Sequence, residues 1–158
     1  MATERWVAGS GVGYTWTAAF TSSTLNSIAS GNAILSDLQI DNTLAQDIFC
    51  DVCIQLGTAT WTTTNGNFIG IYIYPFNQDA STYGDGRFTS SAAGPPPNNY
   101  NVGNIGINTG TTIIATGALL RVPLPSQRFK FLVWNQGGVA FNASGNNVYY
   151  RTYNRQVL

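Results

Sequence analysis

Histidine is absent from these 158 residues, while lysine occurs once, at Lys130, and glutamate once, at Glu4. Without an imidazole the Ser-His relay is excluded, and so is the commonest general base. Charge is scarce: 9% of residues are Asp, Glu, Lys or Arg, against about 25% in ordinary soluble domains. Seven acidic and seven basic residues give a formal net charge of zero. No excess of cations is left to hold nucleic acid by counterion release. Nor does any run approach the ~20 apolar residues of a membrane helix. The opening MATERWVAGSGVGYTW sets Glu4 beside Arg5 and has no continuous apolar stretch. It is not expected to act as a Sec signal, and the product is expected to stay in the cytoplasm of the cell that makes it.

Cysteine is nearly absent as well. Cys50 and Cys53 lie in the alternating run IFCDVCIQL, where residues three apart point to opposite faces of a strand. Their thiols diverge, and no second C-x-x-C and no histidine is present to complete a zinc site. No cofactor or metal is expected, and the two cysteines read as small apolar residues. Also missing are a sustained 3.6-residue apolar period and a capping box leading into one. A helical fold is therefore not expected.

What the chain does contain is glycine, with 17 residues, many Thr, Ser and Asn, and 13% aromatics. So few charges with so many aromatics protect poorly against association. That suits a surface meant to be covered by copies of itself or by a partner. The plainer alternative is a turn-rich β protein that uses hydroxyls and amides for solubility. The length fits one domain, able to bury roughly 68–70% of the surface of its unfolded chain.

Period-two patterning supplies the fold class. In AILSDLQID, Ile34, Ser36, Leu38 and Ile40 share one face, and Asp37, Gln39 and Asp41 take the other. In DIFCDVCIQLG, Ile48, Cys50, Val52, Ile54 and Leu56 point inward, with Asp51 and Gln55 outward. These two runs read as antiparallel neighbours. NFIGIYIYPF is apolar on both faces, so its strand is covered on both, by the core and by a loop, an arm or another subunit. Further strands are expected from Tyr100 to Ile107, over 113–125 closed by Pro123 and Pro125, over RFKFLVWN, in VAFN and in VYYRTYNRQ. The sum is an all-β fold of about eight strands, a jelly roll or related antiparallel β-sandwich. Residues 1–32 form an N-terminal arm or edge segment, anchored through burial of Trp6 and Trp16.

One connection breaks the rhythm. Residues 77–101, NQDASTYGDGRFTSSAAGPPPNNYN, exceed the length of about 12–15 beyond which a structureless loop is uncommon. Tyr83, Phe88 and Tyr100 can fold back on a surface, and Pro95, Pro96 and Pro97 favour stiff polyproline II. An ordered Pro/Gly-rich loop of this kind is a device for touching a partner.

A search for chemistry finds little. Paired carboxylates for glycoside hydrolysis would come from Asp79 and Asp85, yet both sit in ordinary turn sequences. Asn77, Asp79, Ser81 and Asp85 offer oxygens to calcium, without the spacing of an EF-hand loop. No activating neighbour is visible for any nucleophile, so the chain is not read as an enzyme. Trp61 and Tyr83 could stack on a sugar, although such aromatics more often fill a core or an interface.

The runs YPFNQDASTYGDGRF and AAGPPPNNYNVGNI, with the ending FKFLVWNQGGVAF…VYYRTYNRQ, resemble a family of small tailed-bacteriophage virion proteins. The likeness extends from Trp6 to Gln156, and Gly94 to Ile105 is its most specific part. It implies a capsid decoration, or cement, protein. Such a protein sits on the outer surface of the head as a dimer or trimer, binds the major capsid protein and bridges its subunits. The resemblance brings no enzymatic site. The residues then expected to touch capsid or sister subunits are Arg5, Trp6, Trp16, Tyr83, Arg87, Phe88, Pro95, Pro96, Pro97 and Tyr100. The alternative role is a tail- or head-fibre domain that binds a host glycan.

Overall fold

Wherever β-branched and aromatic residues alternate with polar ones the chain is extended, and where Gly, Asn and Ser cluster it turns. The structure, a computed structural model, describes residues 4–8, 15–21, 23–61, 68–77, 83–84, 91–108 and 112–157. Among them run eleven strands: β1 (Glu4–Ala8), β2 (Thr17–Ala18), β3 (Asn32–Leu35), β4 (Ile40–Asp41), β5 (Phe49–Thr60), β6 (Phe68–Pro75), β7 (Ser91–Ala93), β8 (Asn101–Gly106), β9 (Thr112–Pro123), β10 (Arg128–Gln136) and β11 (Asn147–Val157). β2, β4 and β7 have only two or three residues. Setting them aside leaves eight longer strands, the number that the patterning predicts but not the same set, since β1 is among them and VAFN is not. The described residues contain no α-helix, only one 3-10 turn at Asn98–Tyr100.

The strands form two antiparallel sheets. The first has the order β1-β11-β5-β9, with β2 also on β11; the second has the order β7-β3-β10-β6-β8, with β4 also on β10. After β2 the chain goes to the second sheet for β3 and β4, back for β5, and over again for β6 to β8. β9, β10 and β11 then alternate between the sheets.

Between the sheets lies the core. Cys50, Val52, Ile54 and Leu56 of β5 and Val148 of β11 meet Ile69, Ile71 and Ile73 of β6 and Phe129, Phe131 and Val133 of β10. Each fully buried side chain of this size contributes about 1.5–3 kcal/mol relative to exposure. Tyr150 reaches across from β11, its ring 5.7 Å from that of Phe131. Phe20, Leu25 and Ile28 are also in this core, so the segment before β3 is no peripheral arm beyond its first strands.

One end of the sandwich is closed by amides in place of a helix. Asn135 is wholly buried on β10. Its Nδ2 donates to the carbonyls of Ile28 and Val139, both at 2.8 Å, and its Oδ1 accepts from the Gly137 amide at 2.9 Å. Asn146 accepts from the Gly57 amide at 2.9 Å and donates to Asn26 at 2.8 Å. Two loops and the Gly57 amide of β5 thus find backbone partners in side-chain amides.

Three expectations need correction. The run 33–41 is not one strand: it bends after Leu35, where the Ser36 hydroxyl donates to the Leu38 carbonyl at 2.7 Å, a local bond that competes with the ladder. Leu38 is consequently 38% exposed. Nor do β3 and β5 pair. Residues 42–48 carry the chain from one sheet to the other, held by Asn42, which bonds to Asp47 through its amide and carbonyl and to Pro125. VAFN is not a strand; Phe141 turns into the core, its ring edge-on to that of Trp61 at 6.2 Å.

Candidate functional site

With the core filled, function has to be sought on the two outer faces, and they differ. The outer face of the second sheet is apolar: Ala33, Leu35, Tyr72, Tyr74 and Leu132 form a second buried cluster, with Tyr83, Tyr100 and Trp134 packed against it. The long connection supplies the cover. Tyr100 lies 4.6 Å from Tyr74, ring centre to ring centre, and Tyr83 lies 5.0 Å from Phe76. The Lys130 ammonium sits 5.0 Å from the centre of the Tyr83 ring, a cation–π contact, and the Tyr83 hydroxyl bonds to Gln39. Gly84 donates to the Pro75 carbonyl at 2.9 Å, and a Cβ at Gly84 would fall 2.1 Å from the Tyr74 ring. Pro96 is buried, Pro97 half-buried and Pro95 exposed. The two-sided apolarity of β6 is answered by the chain's own loop, through Tyr83 and residues 94–100.

No described element packs over the outer face of the first sheet. Here Phe49 stacks on Tyr153 at 6.1 Å, and Trp16 receives the Arg151 guanidinium at 4.8 Å from its ring centre. Trp16 is 39% exposed, so the expectation that burial anchors it is corrected: a cation holds it at the surface. Arg151 in turn places Nε and Nη2 on one oxygen of Asp51, at 3.0 and 2.9 Å. The other oxygen accepts from the Tyr153 hydroxyl at 2.9 Å and from the Arg121 amide at 3.1 Å. Burial alone would push the Asp51 carboxyl up, but these donors outweigh it and hold it below its usual range. The same burial, with the bond to Asp51, pushes the Tyr153 hydroxyl up to about 12.

A bulge shapes this face. Opposite Asp51, β9 carries Leu120 and Arg121 where a regular ladder has one residue. Arg121 adopts a left-handed φ of 58°, and Leu120 stands 69% exposed. Bulges re-aim side chains in this way. Neither the bulge nor the Asp51 network was visible beforehand, because each depends on which strand lies beside which.

The residues expected to make contacts do not converge on one patch. Arg5 and Trp6 lie on β1, the outermost strand of the first sheet, and Trp16 stands on that sheet's outer face. Tyr83, Tyr100 and the prolines belong to the opposite side. Arg87 and Phe88 lie outside the described residues, as do Asp79, Ser81 and Asp85. Trp61, weighed as a sugar platform, is 1% exposed and belongs to the core. Cys50 is in the core and Cys53 half-buried; both thiols are free, and burial raises the pKa of each.

The other described aspartates are hydrogen-bonded as well. Asp37 accepts from the Thr21 amide at 3.1 Å, and Asp41 holds Thr43 at 2.6 Å and Arg128 at 3.1 Å. Asp47 accepts from Asn154 at 2.7 Å. No group of three or more metal-ligating side chains occurs among these residues. An open cleft of about 210 Å³, lined by Gln55, Gly57, Thr58, Asn142 and Ser144, lies at the amide-rich end. Asn142 is already committed there, donating to the Thr58 carbonyl at 3.0 Å. No family model matches the chain, and no curated protein matches it in sequence.

Proposed function

We propose that this protein is a bacteriophage capsid decoration protein, which binds the outer surface of the assembled head and bridges major capsid subunits. The observation that carries the reading is the pairing of two unlike outer faces. One is closed by the chain's own loop, with Pro95 exposed at its surface. The other presents Trp16, Tyr149 and Leu120 around an ion pair that is already internally neutralised. A surface with aromatic bodies and little free charge suits burial against protein. Two separated surfaces suit a bridge. The order in which the chain visits its sheets supports calling the sandwich a jelly roll.

Binding the assembled shell but not its dissociated subunits would stabilise the particle by mass action. Repetition over a rigid lattice would reinforce modest individual contacts. The dimer or trimer and the location on the outer capsid surface belong to the same proposal. Glycan recognition by a fibre domain is less well supported, since Trp61 is in the core and Tyr83 is enclosed by Phe76 and Lys130.

The test is copy number and position in virions, by gel densitometry and particle imaging. Hundreds of copies on the head are expected; a few dozen on the tail would overturn the proposal in favour of adhesion.

A further inference from the structure

Strand β1 is attached to the sandwich at one edge only. It pairs with β11 from Glu4↔Val157 to Ala8↔Tyr153 and, among the described residues, borders no other strand. β2 uses the same edge of β11 a little further along, with Thr17↔Tyr150 and Ala18↔Tyr149. From the position of Ala8 to that of Thr17 is thus three steps along β11, from Tyr153 to Tyr150. Three steps of an antiparallel strand cover about 10 Å. The covalent connection between those two points is residues 9–16, with glycine at 9, 11 and 13. Fully extended, nine Cα-to-Cα steps reach about 30 Å. The connection is therefore about three times longer than the register demands.

We infer that β1 is an exchangeable strand, which leaves its own β11 and pairs in the same register with the β11 of a second copy of this chain. The backbone register of β1 on β11 is the same in both arrangements, so the exchange itself is close to neutral. The choice is set by local concentration. A short tether holds β1 near its own β11 at an effective concentration on the order of millimolar. Dilute chains therefore keep their own strand. Copies held within about 30 Å of one another on a lattice present a neighbour's edge at comparable concentration. Exchange then links neighbours through main-chain hydrogen bonds, the mode by which an added strand completes a sheet edge. The inference deepens the proposed role, and rests on it only in needing copies held side by side.

Cross-linking tests it. Chains carrying Arg5→Cys are mixed with chains carrying Gln156→Cys, both on a Cys53→Ser background, and oxidised at a series of concentrations. A disulfide between the two kinds of chain requires β1 of one on β11 of the other. Heterodimers are expected to be negligible at micromolar and to reach tens of per cent at several millimolar, near the tether's effective concentration of about 1 mM. One chain carrying both cysteines should close on itself when dilute. Trp6→Cys with Arg155→Cys repeats the test one register on, since neighbouring antiparallel pairs alternate between two spacings. Intrachain closure without heterodimers at millimolar concentration overturns the exchange. So does failure of intrachain closure in both registers. A stable oligomer lacking the heterodisulfide would sink the exchange alone, whereas exchange by a chain that ignores assembled heads would sink the proposed role alone.

Discussion

Replacing Gly84 with alanine tests whether the long connection is part of the fold or merely rests on it. Gly84 has a φ of +58°, and an added Cβ would lie 2.1, 2.5 and 3.0 Å from three atoms of the Tyr74 ring. The left-handed backbone alone costs an alanine roughly 1–2 kcal/mol. Tyr74 cannot step aside, being wholly buried against Tyr100 and Leu132. Overpacking of such a site typically adds about 1–3 kcal/mol. Together these give a destabilisation of about 2–5 kcal/mol. With a urea m-value of about 1–3 kcal/mol/M, the midpoint should fall by roughly 1 M or more at unchanged m. Gly106→Ala is the control: nothing lies within 4 Å of its added Cβ, and its effect should stay within about 0.5 kcal/mol. Urea unfolding followed by tryptophan fluorescence measures both. Equal midpoints for the two variants would refute the packing of Tyr83–Gly84 on β6.

Further outcomes concern the amides, the ion pair and the exposed bulge. Asn135→Ala strands the carbonyls of Ile28 and Val139 and the Gly137 amide, and should cost about 3 kcal/mol or more by the same assay; a loss under about 1 kcal/mol would show the amide to be dispensable. Because Asp51 titrates below its unfolded value of 3.8, its contribution is complete above that pH and is lost as pH falls through the folded value. Asp51→Asn should flatten the wild-type decline in stability below about pH 4, and an unchanged acid profile would contradict the network. Leu120→Asp should leave the unfolding free energy within about 0.5 kcal/mol of wild type while lowering occupancy on heads. Full occupancy would remove the bulge from the proposed contact surface.

The patterns that survived in the structure are those a strand writes into its own sequence. The alternation in β5 places Cys50, Val52, Ile54 and Leu56 in the core and exposes Gln55. Likewise Phe129, Phe131 and Val133 separate from Leu132 and Trp134 on β10. Alternation names the face but not the neighbour. It could not show that β5 lies between β11 and β9, and that lateral order is what buries Asp51 under Arg151 and Tyr153. It also overran at Ser36, where one side-chain hydrogen bond ends a strand that apolar spacing would continue. The two tryptophans ended in different environments for a related reason, and only Trp16 departs from its expected burial. Trp61 follows a twelve-residue strand and turns into the closed end of the core. Trp16 precedes a two-residue strand and meets a cation from another one. Both outcomes are set by long-range packing, which local composition does not encode. A cover for the two-faced β6 was legible, but not which segment supplies it; among the described residues of the 77–101 connection, Tyr83 and Tyr100 do.

Capsid decoration is tested by co-sedimenting the purified chain with assembled heads and, separately, with dissociated major capsid protein. Saturable binding in hundreds of copies per head is expected, with no stable complex with the free subunits. Equal binding to free subunits, or none to heads at micromolar chain, would contradict it.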